Sequence, residues 1–218
     1  MEDDRYKATA DTFNSFAETY LQRFGEETLY HDTFDALCKL LPPHSKLLEA
    51  GCGPGHIARY LLAQRPDLQI TGTDIAPAMI ELARKTCPGA TFVVKDIRTI
   101  YELGNGFHAL LCGFVTPYLS KTDCVNLLTH AHEMLTENGL VYISTIEGDY
   151  EKSDWKTGSS GTHRAFQYYY RKTDWENLFS ETGFEIIGFW QKNLLLPNGN
   201  EEAGLVFIAR KQFAGNKK

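Results

Sequence analysis

The sequence predicts an α/β protein: a doubly wound, mostly parallel seven-stranded sheet with a C-terminal antiparallel hairpin and an N-terminal helical cap. Three observations predict it. Short apolar runs alternate with segments of helical periodicity along most of the chain. The run from Phe107 to Phe114 is continuously apolar, as a strand buried on both faces is. Two late apolar runs flank Pro197-Asn198-Gly199, a hairpin-turn sequence. A length of 218 residues suits one large domain with a modest addition. We divide it into a cap, 1–27, and a domain, 28–218, that carries an insertion at 147–172.

Each element follows from its pattern. Residues 29–41 place Leu29, Tyr30, Phe34, Leu37 and Leu41 at helical spacing, and Pro42-Pro43 stop the run. Lys46 to Ala50 is a first strand that breaks into Gly51-Cys52-Gly53-Pro54-Gly55. A helix resumes over 56–65 and ends at Pro66. Leu68 to Thr73 is a second strand, Pro77 opens a helix to about Lys85, and Thr91 to Val94 is a third strand. After the fourth strand, Ser120-x-x-Asp123 starts a helix that Gly139 is expected to end, and Leu140 to Ile146 is the fifth strand. Residues 147–172 break the rhythm: they are polar, then aromatic at Phe166, Tyr168, Tyr169 and Tyr170. Thr173-x-x-Glu176 reads as a capping box for a helix stopped by Gly183. Strands at about 184–192 and 203–210 complete the sheet.

Composition removes several classes of function. The net charge is -6, from 22 Lys+Arg against 28 Asp+Glu, so no basic surface for nucleic acid is advertised. No apolar segment reaches the ~18 residues that span a bilayer, and Met1-Glu2-Asp3-Asp4 lacks the features of a signal peptide. The five cysteines are odd in number and form no Cys-x-x-Cys pair, which points to a reducing cytoplasm. His130 and His132 point about 200° apart on a helix, so no metal site is expected. A monomer or homodimer with a small-molecule partner is the expectation.

A glycine-rich turn between a first strand and a first helix is a ligand site in a doubly wound sheet, because ligands gather at the carboxyl ends of the strands. The alternative is a merely tight turn, against which three glycines in five residues argue. The dinucleotide fingerprint Gly-x-Gly-x-x-Gly/Ala fails here, since its third position falls on His56. Glu49, two residues before the first glycine, would repel a diphosphate. It suits a ligand with a cationic or hydrogen-bond-donating end.

Leu47 to Gly55 (LLEAGCGPG) resembles the first motif of class I S-adenosylmethionine-dependent methyltransferases, Glu/Asp-x-Gly-x-Gly-x-Gly. The resemblance covers roughly residues 46–210 and continues at fitting intervals. It implies that Glu49, Gly51, Cys52, Gly53 and Gly55 form the cofactor loop. Asp74, at the end of the second strand, then stands where the family binds the ribose hydroxyls. Asp96, in VVKDIR (93–98), matches the acid that contacts the adenine amino group. Ile75 and Ile97 match the apolar residues beside the adenine ring. Met79 and Gly113 complete the cofactor set, and S-adenosyl-L-methionine is the cofactor implied. The fourth motif lacks an acidic or Asn-Pro-Pro-Tyr-like signature, which speaks against enzymes that methylate nucleobases or glutamine.

The acceptor side is read from residue chemistry. His163, in the insertion, is the candidate general base, against the alternative of a solvated loop histidine. Tyr118, at the end of the fourth strand, is placed to touch substrate, against the alternative of a core-edge tyrosine. Tyr168 and Tyr170 could form an aromatic lid, and Arg164 could pair a substrate carboxylate. Tyr20 and Arg23 could reach the cofactor's methionine end. The resulting expectation is a methyltransferase of a small metabolite, aromatic or carboxylate-bearing. The alternatives are a tRNA or protein methyltransferase and a non-catalytic S-adenosylmethionine-binding subunit.

Overall fold

Two-residue alternation along the central strands sends neighbouring side chains into two separate cores, and this makes the sheet doubly wound. The computed structural model describes residues 2–157, 164–195 and 201–212. Strands β1 (Lys46–Ala50), β2 (Gln69–Asp74), β3 (Thr91–Val94), β4 (Phe107–Gly113) and β5 (Leu135–Ile146) pair in parallel. On one face Leu47, Leu111, Tyr142 and Ile208 meet Phe34 and Leu37 of α2 (His31–Leu40), Leu61 of α3 (His56–Gln64) and Ile80 of α4 (Pro77–Thr86). On the other, Leu48, Leu110, Val141 and Phe207 meet Leu128 of α5 (Lys121–Met134), with Trp175 and Phe179 of α6 (Lys172–Glu181). Each fully buried leucine or phenylalanine contributes roughly 1.5–3 kcal/mol.

Seven strands form this sheet, in the order β3-β2-β1-β4-β5-β9-β8, where β8 is Phe184–Leu195 and β9 is Glu201–Lys211. The last two make the expected antiparallel hairpin, and β9 runs antiparallel to β5. Its turn, Pro197-Asn198-Gly199, lies outside the described residues. Strand order reverses between β1 and β4, so the crevice at the switch point opens above their carboxyl ends.

Three expectations change. The helix after Ser120 ends at Met134, not at Gly139. Leu135 already pairs with Phe107, the chain passes through a left-handed Asn138 (φ 59°), and regular pairing resumes at Leu140. The free edge of β4 recruits the segment before the glycine is reached. The last helix starts at Lys172, and its capping carboxylate is Asp174, which accepts from the Arg171 N–H at 2.9 Å. Thr173 and Glu176 do not form the box. The segment 147–172 also contains regular structure: β6 (Asp154–Thr157) and β7 (Arg164–Gln167) pair as a small antiparallel sheet.

The N-terminal segment is one long helix, α1 (Glu2–Phe24), laid across the carboxyl end of the main sheet and against β7 and α4. Ala17 packs with Met79 and Leu82 of α4. Asn14 Oδ1 accepts the Ala78 N–H at 2.9 Å, so α1 satisfies a first-turn donor of α4 that local side chains leave open. Tyr6 donates its hydroxyl hydrogen to Asp123 and accepts from the Ser120 N–H, which pins the other end.

Candidate functional site

The loop after β1 turns through three left-handed glycines, Gly51 (φ 71°), Gly53 (φ 51°) and Gly55 (φ 78°). They do different work. A Cβ on Gly51 would stand 2.5 Å from Val115, so this position lets the loop pass close to the end of β4. A Cβ on Gly53 would meet nothing nearer than Tyr20 at 3.8 Å, which leaves its face open to the crevice. At Gly55 the constraint is packing, with Ala83 of α4 3.0 Å from the added atom. Cys52 is buried beneath the turn, where its N–H donates to the Thr73 carbonyl at 2.8 Å.

Three carboxylates converge on this crevice from successive strand ends. Asp74 accepts from the Gly53 N–H and the Ala76 N–H, both at 2.9 Å, and so joins β2 to the glycine loop. Burial pushes its carboxyl up to about 6 against those hydrogen bonds. Glu49 is 1 % exposed, and neither of its oxygens has a hydrogen-bond partner among the described residues. Burial, then the neighbouring Asp74 charge, pushes it up to about 8. An orphaned buried carboxylate is costly, and a donor reaching it would recover that cost. Asp96 follows β3, accepts from the Arg98 N–H at 2.8 Å and holds the Arg98 guanidinium at 2.6 Å. That guanidinium lies 4.1 Å from the centre of the Tyr6 ring, so α1 is coupled to the third acid as well.

These groups surround a cavity of about 310 Å³. Gly51, Gly53, Asp74, Asp96 and Gly113 line it, as do the apolar side chains of Ile75, Met79 and Ile97. Glu49, Cys52 and Gly55 lie behind that lining and shape the loop. The structure brings in residues that sequence reasoning missed. Tyr6, Thr9, Phe13 and Phe24 of α1 form a wall, and His56 lines the cavity at the first turn of α3. Helical periodicity gave no signal for that wall, because α1 is weakly amphipathic and its crevice face mixes aromatic and polar residues. His56 carried one signal, its intrusion at a fingerprint position reserved for a small residue. Burial lowers its imidazole to about 4, so it is neutral at pH 7, and its Nδ1 is buried without a partner among the described residues.

The expected acceptor residues divide. Tyr118 lines the cavity and meets Phe13 edge-on at 5.0 Å. Burial pushes its phenol well above the usual range, so the hydroxyl is a donor and not a base. Tyr20 also lines it; burial, then the charges of Asp74 and Glu49, push its phenol up to about 12. Arg23 is exposed, with its guanidinium 4.9 Å from the centre of the Phe24 ring. Tyr168 and Tyr170 do not form a lid. Both are buried in the core, where Tyr170 donates to the Leu119 carbonyl at 2.6 Å and Tyr168 accepts from Arg5 at 3.1 Å. Arg164 stacks on Trp155 at 4.2 Å, away from the cavity. The cause is the β6–β7 hairpin, which turns the expected overhanging lid into a packed layer. His163 lies outside the described residues. Among the described residues, no group of three His, Cys, Asp or Glu could hold a metal.

Residues 47–139 match the family model described as a methyltransferase domain. Trans-aconitate 2-methyltransferase of Enterobacter sp. (strain 638) is 40% identical over 126 residues, 57% of this chain and 48% of that protein. Demethylmenaquinone methyltransferase of Thermotoga maritima is 27% identical over 136 residues, 60% of this chain and 58% of that protein. The chain thus spans about half the length of the curated relatives it matches. Among solved structures, the Burkholderia thailandensis 1,6-didemethyltoxoflavin-N1-methyltransferase is similar with a TM-score of 0.74 at 18% identity, covering 98% of this chain and 91% of that one. Magnesium protoporphyrin IX methyltransferase from Synechocystis PCC 6803 gives 0.68 at 15%, covering 95% and 100%. The fold is shared with these solved methyltransferase structures.

Proposed function

We propose, from the premise that residues 47–139 are a methyltransferase domain, that this protein transfers a methyl group from S-adenosylmethionine to a small organic molecule. The observation that carries the reading is the convergence of Gly53, Asp74 and Asp96, from three successive strand ends, on one cavity. The orphaned Glu49 carboxylate beneath it fits a ligand with a cationic or donating end. Gly51, Gly53 and Gly113 would border the methionine half, and Asp74 would accept from ribose hydroxyls with its remaining lone pairs. Ile75, Met79 and Ile97 would flank the adenine, with Asp96 at its edge.

The bound cofactor supplies a methyl group already activated by the sulfonium. The chain's part is to align an acceptor and exclude water. Wall residues of α1 border the crevice, and we assign the Tyr118 hydroxyl to donate to the acceptor. For a hydroxyl acceptor, which must lose a proton, we propose His163 as the base. Relatives named for trans-aconitate favour a small metabolite, carboxylate-bearing in their case. A net charge of -6 goes with that size class better than with tRNA. The five free, buried thiols support a cytoplasmic location, and no helix among the described residues is long and apolar enough to cross a membrane. The division into a cap (1–27) and a domain (28–218) with its insertion (147–172) is part of the same proposal.

Calorimetry with S-adenosylhomocysteine tests the binding half, and absence of heat would sink it. Transfer of labelled methyl to a metabolite extract tests the reaction. Label on RNA or protein would select the macromolecular alternative, and binding without transfer would select the silent subunit.

A further inference from the structure

One part of the cavity carries two carboxylates to which the proposed cofactor contacts give no role. Glu27 and Glu202 both line it, together with Tyr30, Phe114 and Gly204. The Tyr30 and Phe114 rings meet edge-on at 4.9 Å, and the Tyr30 hydroxyl packs on Gly204, 2.8 Å from where a Cβ would stand. Burial, then the charges of Glu27 and Glu202, push the Tyr30 phenol up, and Glu202 adds to the same shift at Tyr118. Glu27 accepts from the Leu29 N–H at 2.7 Å and keeps its other oxygen.

Opposing charge is scarce there. Among the described lining residues the basic side chains are Lys95 and His56. Lys95 is ion-paired with Glu102, and burial keeps His56 neutral. Lys156 acts on Glu202 from outside the lining, with its Nζ 5.3 Å from the Tyr169 ring.

We infer that the methyl acceptor presents a basic amine to this part of the cavity, received by Glu27 and Glu202 between the faces of Tyr30, Phe114 and Tyr118. This rests on the methyltransferase reading and names its substrate class. Carboxylates accept N–H groups from an ammonium, and aromatic faces attract its charge. A carboxylate acceptor would meet two like charges instead. The amine arrives as an ammonium and gives one N–H proton to Glu202, which frees the nitrogen lone pair. That lone pair forms the new bond to the methyl carbon as the carbon–sulfur bond breaks, and the bonding pair returns to sulfur. The product is the methylated ammonium, and Glu202 releases its proton to solvent. Burial raises the Glu202 carboxyl, which suits it to take that proton.

The test uses the full chain saturated with S-adenosylhomocysteine and two ring-matched probes of opposite charge, 2-phenylethylamine and 3-phenylpropionate. We expect the amine to bind at least about ten-fold tighter at pH 7, the size of one charge-assisted hydrogen bond. The double substitution Glu27→Gln and Glu202→Gln should abolish that preference and leave S-adenosylhomocysteine affinity in place. Glu202→Gln alone should reduce it several-fold. Equal or tighter binding of the carboxylate, binding of neither probe, or a preference that survives in the substituted protein would overturn the inference. Failure of S-adenosylhomocysteine itself to bind would instead overturn the methyltransferase reading.

Discussion

The cavity's floor and its wall are built by opposite means. The floor is local in sequence: Glu49 to Gly55, Asp74 to Met79 and Asp96–Ile97 each lie where a strand of the parallel sheet ends. The wall is remote. Tyr6, Phe13 and Tyr20 reach the floor from α1, held by contacts such as Asn14 to Ala78 and Tyr6 to Asp123, which are 64 and 117 residues apart. Floor residues are fixed by backbone geometry and burial, so their substitution should be expensive. Wall residues are fixed by a few hydrogen bonds and by apolar contacts at Tyr6 and around Ala17, so we expect loosening of α1 to admit ligand.

The largest effect should come from the floor. Asp74→Ala removes both the link to the Gly53 N–H and a ligand acceptor, and should weaken S-adenosylhomocysteine binding at least ~100-fold, by calorimetry. A fall of less than ten-fold would show that Asp74 is not at the ligand. Next comes the pair of glycines. Gly51→Ala meets Val115 and should cost about 1–3 kcal/mol in denaturant unfolding. Gly53→Ala meets open space and should cost about 1 kcal/mol, from its left-handed backbone alone. Equal costs would mean that the approach to β4 does not matter.

The floor also carries a pH signature. Glu49 is raised on folding, so the folded state holds a proton that the unfolded state has released. The contribution of Glu49 to the stability of the free protein should therefore be fully present below about pH 4.5 and should be lost as pH rises to about 8. Glu49→Gln should flatten that slope in thermal melts across the same window. Ligand donors that reach Glu49 should lower its pKa, so binding at pH 7 should release roughly one proton. Calorimetry in two buffers of different ionisation enthalpy would detect its absence.

Wall substitutions should do less. Asn14→Ala deprives the Ala78 N–H of its acceptor and should cost about 1 kcal/mol, with S-adenosylhomocysteine dissociating several-fold faster in stopped flow. An unchanged off-rate would break the link between α1 and ligand exchange. Arg164→Ala should be smallest, within about 0.5 kcal/mol and with no change in acceptor KM, because its side chain lies on Trp155 and not at the cavity. A large KM effect would return Arg164 to the substrate side.

Legibility follows the same division. The strands and helices of the main sheet and the strand-end acids Asp74 and Asp96 were readable, because period-2 and helical patterns, glycines and strand-end carboxylates are local features with local causes. Tyr168 and Tyr170 were misplaced because an aromatic run reads alike as a lid or as core; pairing of β6 with β7 decided between them. The early end of the helix after Ser120 was hidden for a related reason, since the β4 edge that captures Leu135 is distant in sequence.

The sequence by itself determined the strands and helices of the main sheet and the chemistry of the cavity floor, since hydrophobic period and backbone geometry act over a few residues. Only the tertiary structure decided that α1 walls the cavity, that Glu49 is buried without a partner among the described residues, and that Glu27 and Glu202 line the cavity with Tyr30. Those facts depend on burial and on contacts across more than a hundred residues, where desolvation and packing, not local propensity, set the outcome.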